Sequence, residues 1–183
     1  MRGQTLKQTA FRTENMKKKY IYIAVLTALA TVLSITESFV PMPMATYGAK
    51  PGLANVVTMT AMVLLSPWEA LGIMFVRVVL SSLMTGAVTA LPYGLVGGTM
   101  AWMVMTVLYK WVYPGVSFVG ISICGAVFHS LAQVAVAVVI TGTQQVFAYF
   151  PYLAIISTVT GFFTGLCTNF LLPFLDRKKE GNE

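Results

Sequence analysis

Apolar residues run along this chain in long blocks, separated by short segments that carry the prolines and most of the charges. Six blocks can be drawn: Tyr20–Val40, Gly52–Ser66, Glu69–Thr85, Leu91–Tyr109, Val116–Thr141 and Ala148–Leu172. A helix needs about 17–25 residues to cross a bilayer. The second and third blocks stand at or below that limit, and are expected to borrow loop residues or to sit in a thinner part of the fold. Prolines mark the divisions: Pro41, Pro43 and Pro51 in the first connection, then Pro67, Pro92 and Pro114. Each interrupts the helical ladder and biases the residue before it away from helix. The pattern predicts an all-α integral membrane protein, a six-transmembrane-helix bundle over residues 19–175. A polar, disordered tail is expected over 1–18 and a short charged tail over 176–183, with Met1 or Met16 as the start.

Composition agrees with the pattern. The chain is 57% hydrophobic and only 10% charged, with a mean hydropathy of +0.77, against about a quarter charged residues in an ordinary soluble domain. The net charge of +6 informs mainly through its placement. Six crossings put both termini on one side. If Lys17, Lys18 and Lys19 are cytoplasmic, Lys110, Arg177, Lys178 and Lys179 are cytoplasmic too, and Lys50 alone lies in an outer loop. That agreement with the positive-inside rule predicts a multi-pass plasma-membrane protein with both termini cytoplasmic. The basic, then apolar, opening is read as a first span rather than a signal peptide, because no small-x-small cleavage site follows it. Nucleic acid is excluded as a partner, since no basic face with interleaved aromatics exists. Cys124 and Cys167 fall in apolar runs and read as small buried thiols.

Few residues can carry chemistry, so each weighs heavily. Arg77 lies mid-block, where an arginine costs about 2.5–3.5 kcal/mol on insertion scales. It must face the bundle interior and have a partner, either as a ligand anchor or paired with Glu37 or a backbone carbonyl. Glu37, about one turn below the outer end of the first block, lies within reach of a long side chain. His129 and Gln133 stand four apart on one helix face, with Gly125 a turn before them; an interhelical hydrogen bond or a ligand contact would each use that face. Thr27, Thr31, Ser34 and Ser38 form a polar stripe on the first block, and Thr158, Gly161, Gly165 and Thr168 a small-residue stripe on the last. Both read more readily as helix packing than as ligand contacts, and Gly94 with Gly98 adds a GxxxG pair. Trp68, Trp111, Tyr109 and Tyr113 stand near block ends, as interfacial anchors do.

Other chemistries are missing. Asp176 is the only aspartate, and no acidic pair stands ready to hold magnesium on a diphosphate. There is no P-loop, no metal-ligand spacing around the single histidine, and no serine or cysteine with a recognisable base. The chain is expected not to be an enzyme and to need no cofactor or metal.

A short six-span protein of this kind resembles the substrate-binding S-components of energy-coupling factor (ECF) transporters. Ala24 and Ala28 in "AVLTA" are similar to the AxxxA motif by which those components dock on a transmembrane coupling subunit. "ESFVP", "KPGLANVVT", Arg77 with "SS", and "GAVFHSLAQ" together resemble the Gx transporter family, also labelled heptaprenyl diphosphate synthase component I. Family members often read "KLGLAN" and "HN" where this chain has Lys50-Pro51-Gly52 and His129-Ser130. The resemblance implies a cavity open to the outside, with Glu37, Lys50 and Asn55 at its mouth and Arg77, His129 and Gln133 deeper, for a small polar or amphipathic molecule. It also implies a coupling subunit and two ATPases as partners. The alternative is a non-catalytic membrane partner of an isoprenoid diphosphate or quinone biosynthesis enzyme.

Overall fold

The computed structural model describes residues 2–39 and 52–180, with side chains described for 16–39 and 52–171. Among the described residues there are six α-helices and no strand: α1 (Arg2–Glu37), α2 (Asn55–Leu64), α3 (Pro67–Thr85), α4 (Leu91–Trp111), α5 (Phe118–Thr141) and α6 (Phe150–Glu180). Short 3₁₀ turns over Val88–Ala90 and Gln144–Tyr149 lead into α4 and α6. The first helix begins at Arg2 and the last ends at Glu180, so helix is drawn through parts of both segments read as tails.

Local chemistry sets the boundaries. Ser66 caps α3 by accepting the Glu69 N–H at 3.5 Å, with Pro67 in the first turn; this starts the helix two residues before the apolar block does. Ser117 caps α5 by accepting the Gly120 N–H at 3.3 Å. Both helices end on a glycine in the left-handed region, Gly86 at φ 70° and Gly142 at φ 65°, where a β-carbon would be strained.

Five of the six helices are long and apolar enough to cross a membrane, which makes this a multi-pass membrane protein. The second block does not meet that length. Helix α2 has 10 residues, about 15 Å at helical rise, half of a hydrocarbon core of about 30 Å. Seven of those residues are buried, Val57 to Met62 consecutively with Asn55 before them. A helix buried all round is a core helix, and α2 packs against all five of the others. It is the axis of the bundle.

The other helices surround it in alternating directions. Gly94 and Gly98 of α4 pack on Val78 and Met74 of α3 in reversed order, so these two run antiparallel. Gly161 and Gly165 of α6 pack on the α5 backbone at Ile123 and Val119, again reversed. Helices α1 and α3 run parallel: Lys19, midway along α1, is ion-paired with Glu69 in the first turn of α3, and Glu37 at the end of α1 acts on Arg77 further along α3. One end of the bundle therefore gathers Lys17–Lys19, Trp68, Lys110 and Trp111, and α6 ends there as well. Trp68 and Trp111 are highly exposed, as anchors at a bilayer interface are. The α2–α3 turn is held by the Trp102 indole, which donates to the Pro67 carbonyl at 2.7 Å.

Cys124 and Cys167 are exposed on the outer surface of the bundle, against the expectation of buried thiols. The inner face of α5 is taken by Ser122, Gly125 and His129, and position 124 falls on the other side.

The glycine contacts make a stability prediction. A β-carbon at Gly161 would come within 2.7 Å of Ile123 Cα, where only backbone can yield. Gly161→Ala should cost about 1–3 kcal/mol in detergent unfolding. Gly72→Ala, with nothing within 4 Å, should be neutral or slightly stabilising by helix propensity.

Candidate functional site

The interior near the head of α2 is polar, and four helices build it from their rare charged and amide residues: Glu37 of α1, Asn55 of α2, Arg77 of α3 and Gln133 of α5. Thr31, Ser34 and Glu37 lie on the buried face of α1. The stripe satisfies much of its own hydrogen bonding: Thr31 Oγ1 donates to the Thr27 carbonyl at 2.8 Å, and Thr27 to Ile23 at 2.7 Å. That is packing chemistry. Glu37 reaches further. Its Oε1 accepts the Ala54 N–H at 2.7 Å, at the N-cap of α2. The first turn of any helix leaves N–H groups without an intrahelical partner, and a carboxylate there also meets the positive end of the helix dipole.

Arg77 of α3 stands on the opposite side. Its Nη2 donates to Asn55 Oδ1 at 3.2 Å, so the first residue of α2 is tied to α3 as its cap is tied to α1. That bond also fixes the amide of Asn55: the oxygen is taken, and Nδ2 is a donor. Arg77 also feels the Glu37 charge. On α5, His129 and Gln133 lie over Gly97 of α4, whose β-carbon would come within 3.0 Å of His129 Cε1 and 3.1 Å of Gln133 Cγ. Gly52, at φ 86°, brings the start of α2 to the same place; its β-carbon would lie 3.1 Å from Asn55 Nδ2 and 3.8 Å from His129 Cδ2. Two glycines thus make the room in which the histidine and the two amides meet. Gly125, by contrast, packs against Met105 of α4 and opens no space.

These side chains face one recess, lined by Ser34, Glu37, Arg77, Ser81, His129 and Gln133 among others. Up to and including its open mouth it encloses ≈ 380 Å³, of which ≈ 20 Å³ admits the centre of a water molecule. That is room for about one water. Four polar atoms on or beside it have no hydrogen-bond partner: Asn55 Nδ2, Arg77 Nε, His129 Nδ1 and Gln133 Oε1. Each of these residues is no more than 5% exposed. Buried polar groups are normally paired. Thr58, Thr60, Ser122 and Thr164 also carry unpartnered hydroxyls; what sets the first four apart is their convergence from α2, α3 and α5 on a single opening.

Of the six residues read as ligand-facing, Glu37, Arg77, His129 and Gln133 line the recess, and Asn55 is bonded to Arg77 beside it. Lys50 lies outside the described residues, as do the three prolines of its connection. Ser34, Ser81 and Ser82 also line the recess and were not singled out for that role. The signal was there for two of them: Ser81 is four residues after Arg77, and Ser34 three before Glu37, each on the face of its neighbour. Ala24 and Ala28 are exposed on the outside of α1.

Comparison with known proteins gives one finding. The family model described as heptaprenyl diphosphate synthase component I matches residues 26–171. Neither the curated proteins nor the solved structures give a match.

The opposed charges predict a coupling. Arg77→Leu leaves the Glu37 carboxylate without its counter-charge and should destabilise the fold by on the order of 3 kcal/mol. Combined with Glu37→Gln, the loss should be smaller than the sum of the two, which an unfolding titration of both single variants and the double variant would read.

Proposed function

The chain belongs to the heptaprenyl diphosphate synthase component I family, and from the chemistry of its recess we propose that it is the membrane-embedded binding subunit of an importer. It captures a small polar molecule and works with a transmembrane coupling subunit and ATPases, as in ECF-type systems. One observation carries the reading: four buried, unpartnered polar atoms from three helices lie on or beside one opening. A membrane scaffold has no need of such a place, since unpaired polar groups away from water only cost stability. A ligand site does need it, because the ligand supplies the missing partners.

Two further features support the arrangement. The end of the bundle that holds Lys17–Lys19 and Lys110 lies opposite the recess, which suits cytoplasmic termini and a site that fills from outside. The exposed Ala24 and Ala28 leave a shallow strip on α1 where a partner helix can approach closely. ATP hydrolysis must come from partners, because the chain has no P-loop of its own.

The family description favours a second reading, in which the chain is a non-catalytic membrane component serving a prenyl diphosphate synthase. The two readings name different partners. Affinity purification from native membranes should recover an integral coupling subunit with two ATPases, and recovery of a soluble prenyl synthase in their place would establish the second reading. In the first case Ala24→Trp should lower recovery of the coupling subunit about tenfold, or about 1.4 kcal/mol. Unchanged recovery would remove α1 from the docking surface.

A further inference from the structure

The chemistry of the recess narrows what can enter it. Among its described walls there is one carboxylate, Glu37, and one guanidinium, Arg77. Each already has a contact at the head of α2: the carboxylate with the Ala54 N–H, the guanidinium with Asn55. The two opposite charges offset one another. A ligand with a net charge would enter a low-dielectric site that holds no surplus charge to meet it, and would bring its own desolvation cost uncompensated.

The unpartnered atoms define the other half of the specification. Arg77 Nε and Asn55 Nδ2 are donors; the Gln133 amide, which no hydrogen bond orients, and His129 Nδ1, according to its tautomer, serve as either. A matching molecule must offer acceptors to the first two. A hydrocarbon has none. Asn55 Nδ2 and the histidine ring both lie within 4 Å of one point beside Gly52, and the histidine and Gln133 within 4 Å of one point beside Gly97. The groups are close enough to be met by a single small molecule. Only ≈ 20 Å³ of the recess admits the centre of a water molecule, far below the ~300–1,000 Å³ usual for ligand sites, so a molecule larger than water enters only as the side chains around it move apart.

We infer that the recess lined by Arg77, His129 and Gln133, with Asn55 beside it, takes a small molecule without net charge that carries hydrogen-bond acceptors, an amide or lactam edge being the simplest form that also meets Gln133 whichever way its amide faces, and that it rejects diphosphates. The inference rests on the binding-subunit reading above and gives that site its ligand class. It separates this chain's own site from the chemistry in its family's description, because a prenyl diphosphate carries several negative charges. Any isoprenoid diphosphate would have to be handled by a partner.

The test uses the full-length protein purified from its own membranes. Native mass spectrometry, followed by release and identification of any retained molecule, is run on the wild type and on Gln133→Leu. Thermal stability is then read with nicotinamide, uracil, nicotinate and inorganic pyrophosphate as probes. The expected result is a retained molecule neutral at pH 7 with hydrogen-bond acceptors, reduced about tenfold in Gln133→Leu. If nothing is retained, stabilisation by nicotinamide or uracil but not by nicotinate or pyrophosphate supports the same class. A retained ion, or stabilisation by nicotinate or pyrophosphate, overturns the class while leaving the binding-subunit reading intact. Equal retention in the variant, with Gln133→Leu still folded by its unfolding transition, removes the molecule from this recess and overturns the assignment. No retained molecule and no stabilisation by any probe defeats the binding-subunit reading itself.

Discussion

The hydrogen bond from the Ala54 N–H to the Glu37 carboxylate is the contact around which the rest is arranged. Helix α2 starts inside the bundle, with Ala54 and Asn55 buried, so its first turn lies where bulk water cannot satisfy its orphan donors. In a membrane interior each unmet backbone group costs several kcal/mol. A carboxylate from α1 meets one of them, and in doing so brings a negative charge into the same dry place. That charge calls for Arg77, and Arg77 in turn takes the oxygen of Asn55. One short helix thus accounts for the chain's two intramembrane charges and for the residue between them.

Glycine lets the neighbouring helices come close enough for this to work. On α4, Gly94 and Gly98 receive Val78 and Met74 from α3, while Gly97, one position round, receives His129 and Gln133 from α5. The same stretch of helix therefore packs two neighbours and floors the recess. A larger residue at Gly97 would push the histidine and the glutamine off the site. The α5–α6 pair, closed over Gly161 and Gly165 and joined by a hydrogen bond between Ser130 and Ser157, forms a rigid wall behind them. Van der Waals contact between close backbones holds such helices together where lipid gives no hydrophobic drive.

Much of this was legible in the sequence because the bilayer makes ionisable residues expensive. Glu37, Arg77 and His129 stand out in apolar text, and an intramembrane charge has few places to point. The inner helix ends were legible to within a few residues, and the two-residue shift at α3 follows from Ser66 and Pro67; the outer ends were not, since α1 begins at Arg2 rather than Tyr20 and α6 ends at Glu180 rather than Leu172. Other features left no such trace. The shortness of α2 showed in the length of its block, but its central place did not, because hydropathy records how apolar a segment is and not where it packs. Gly97 was hidden because the eye takes Gly94 and Gly98 as the pair, though all three are used. Cys124 and Cys167 faced outward because a thiol is indifferent to lipid and to protein interior, so composition could not choose between them. The residues of the first connection, with Lys50, lie outside the described part, and the mouth is known only from its inner side.

The word synthase in the family description and the interior of the chain can be reconciled by asking where charge is affordable. A diphosphate site needs cations, or acidic residues that hold divalent metal. Among the described residues no three of histidine, cysteine, aspartate and glutamate come together, and the interior arginine is already matched by a carboxylate. A second unbalanced cation in the same span would cost as much as the first, with no ligand-free partner to hold it. Among the described residues, Lys17–Lys19 and Lys110 gather instead at one end of the bundle. What the interior holds is an opposed pair, Glu37 and Arg77, surrounded by amides and hydroxyls, and this follows from the same rule that fixed Glu37 at the head of α2. Under the proposed binding-subunit reading, such an interior can be emptied and refilled without moving net charge.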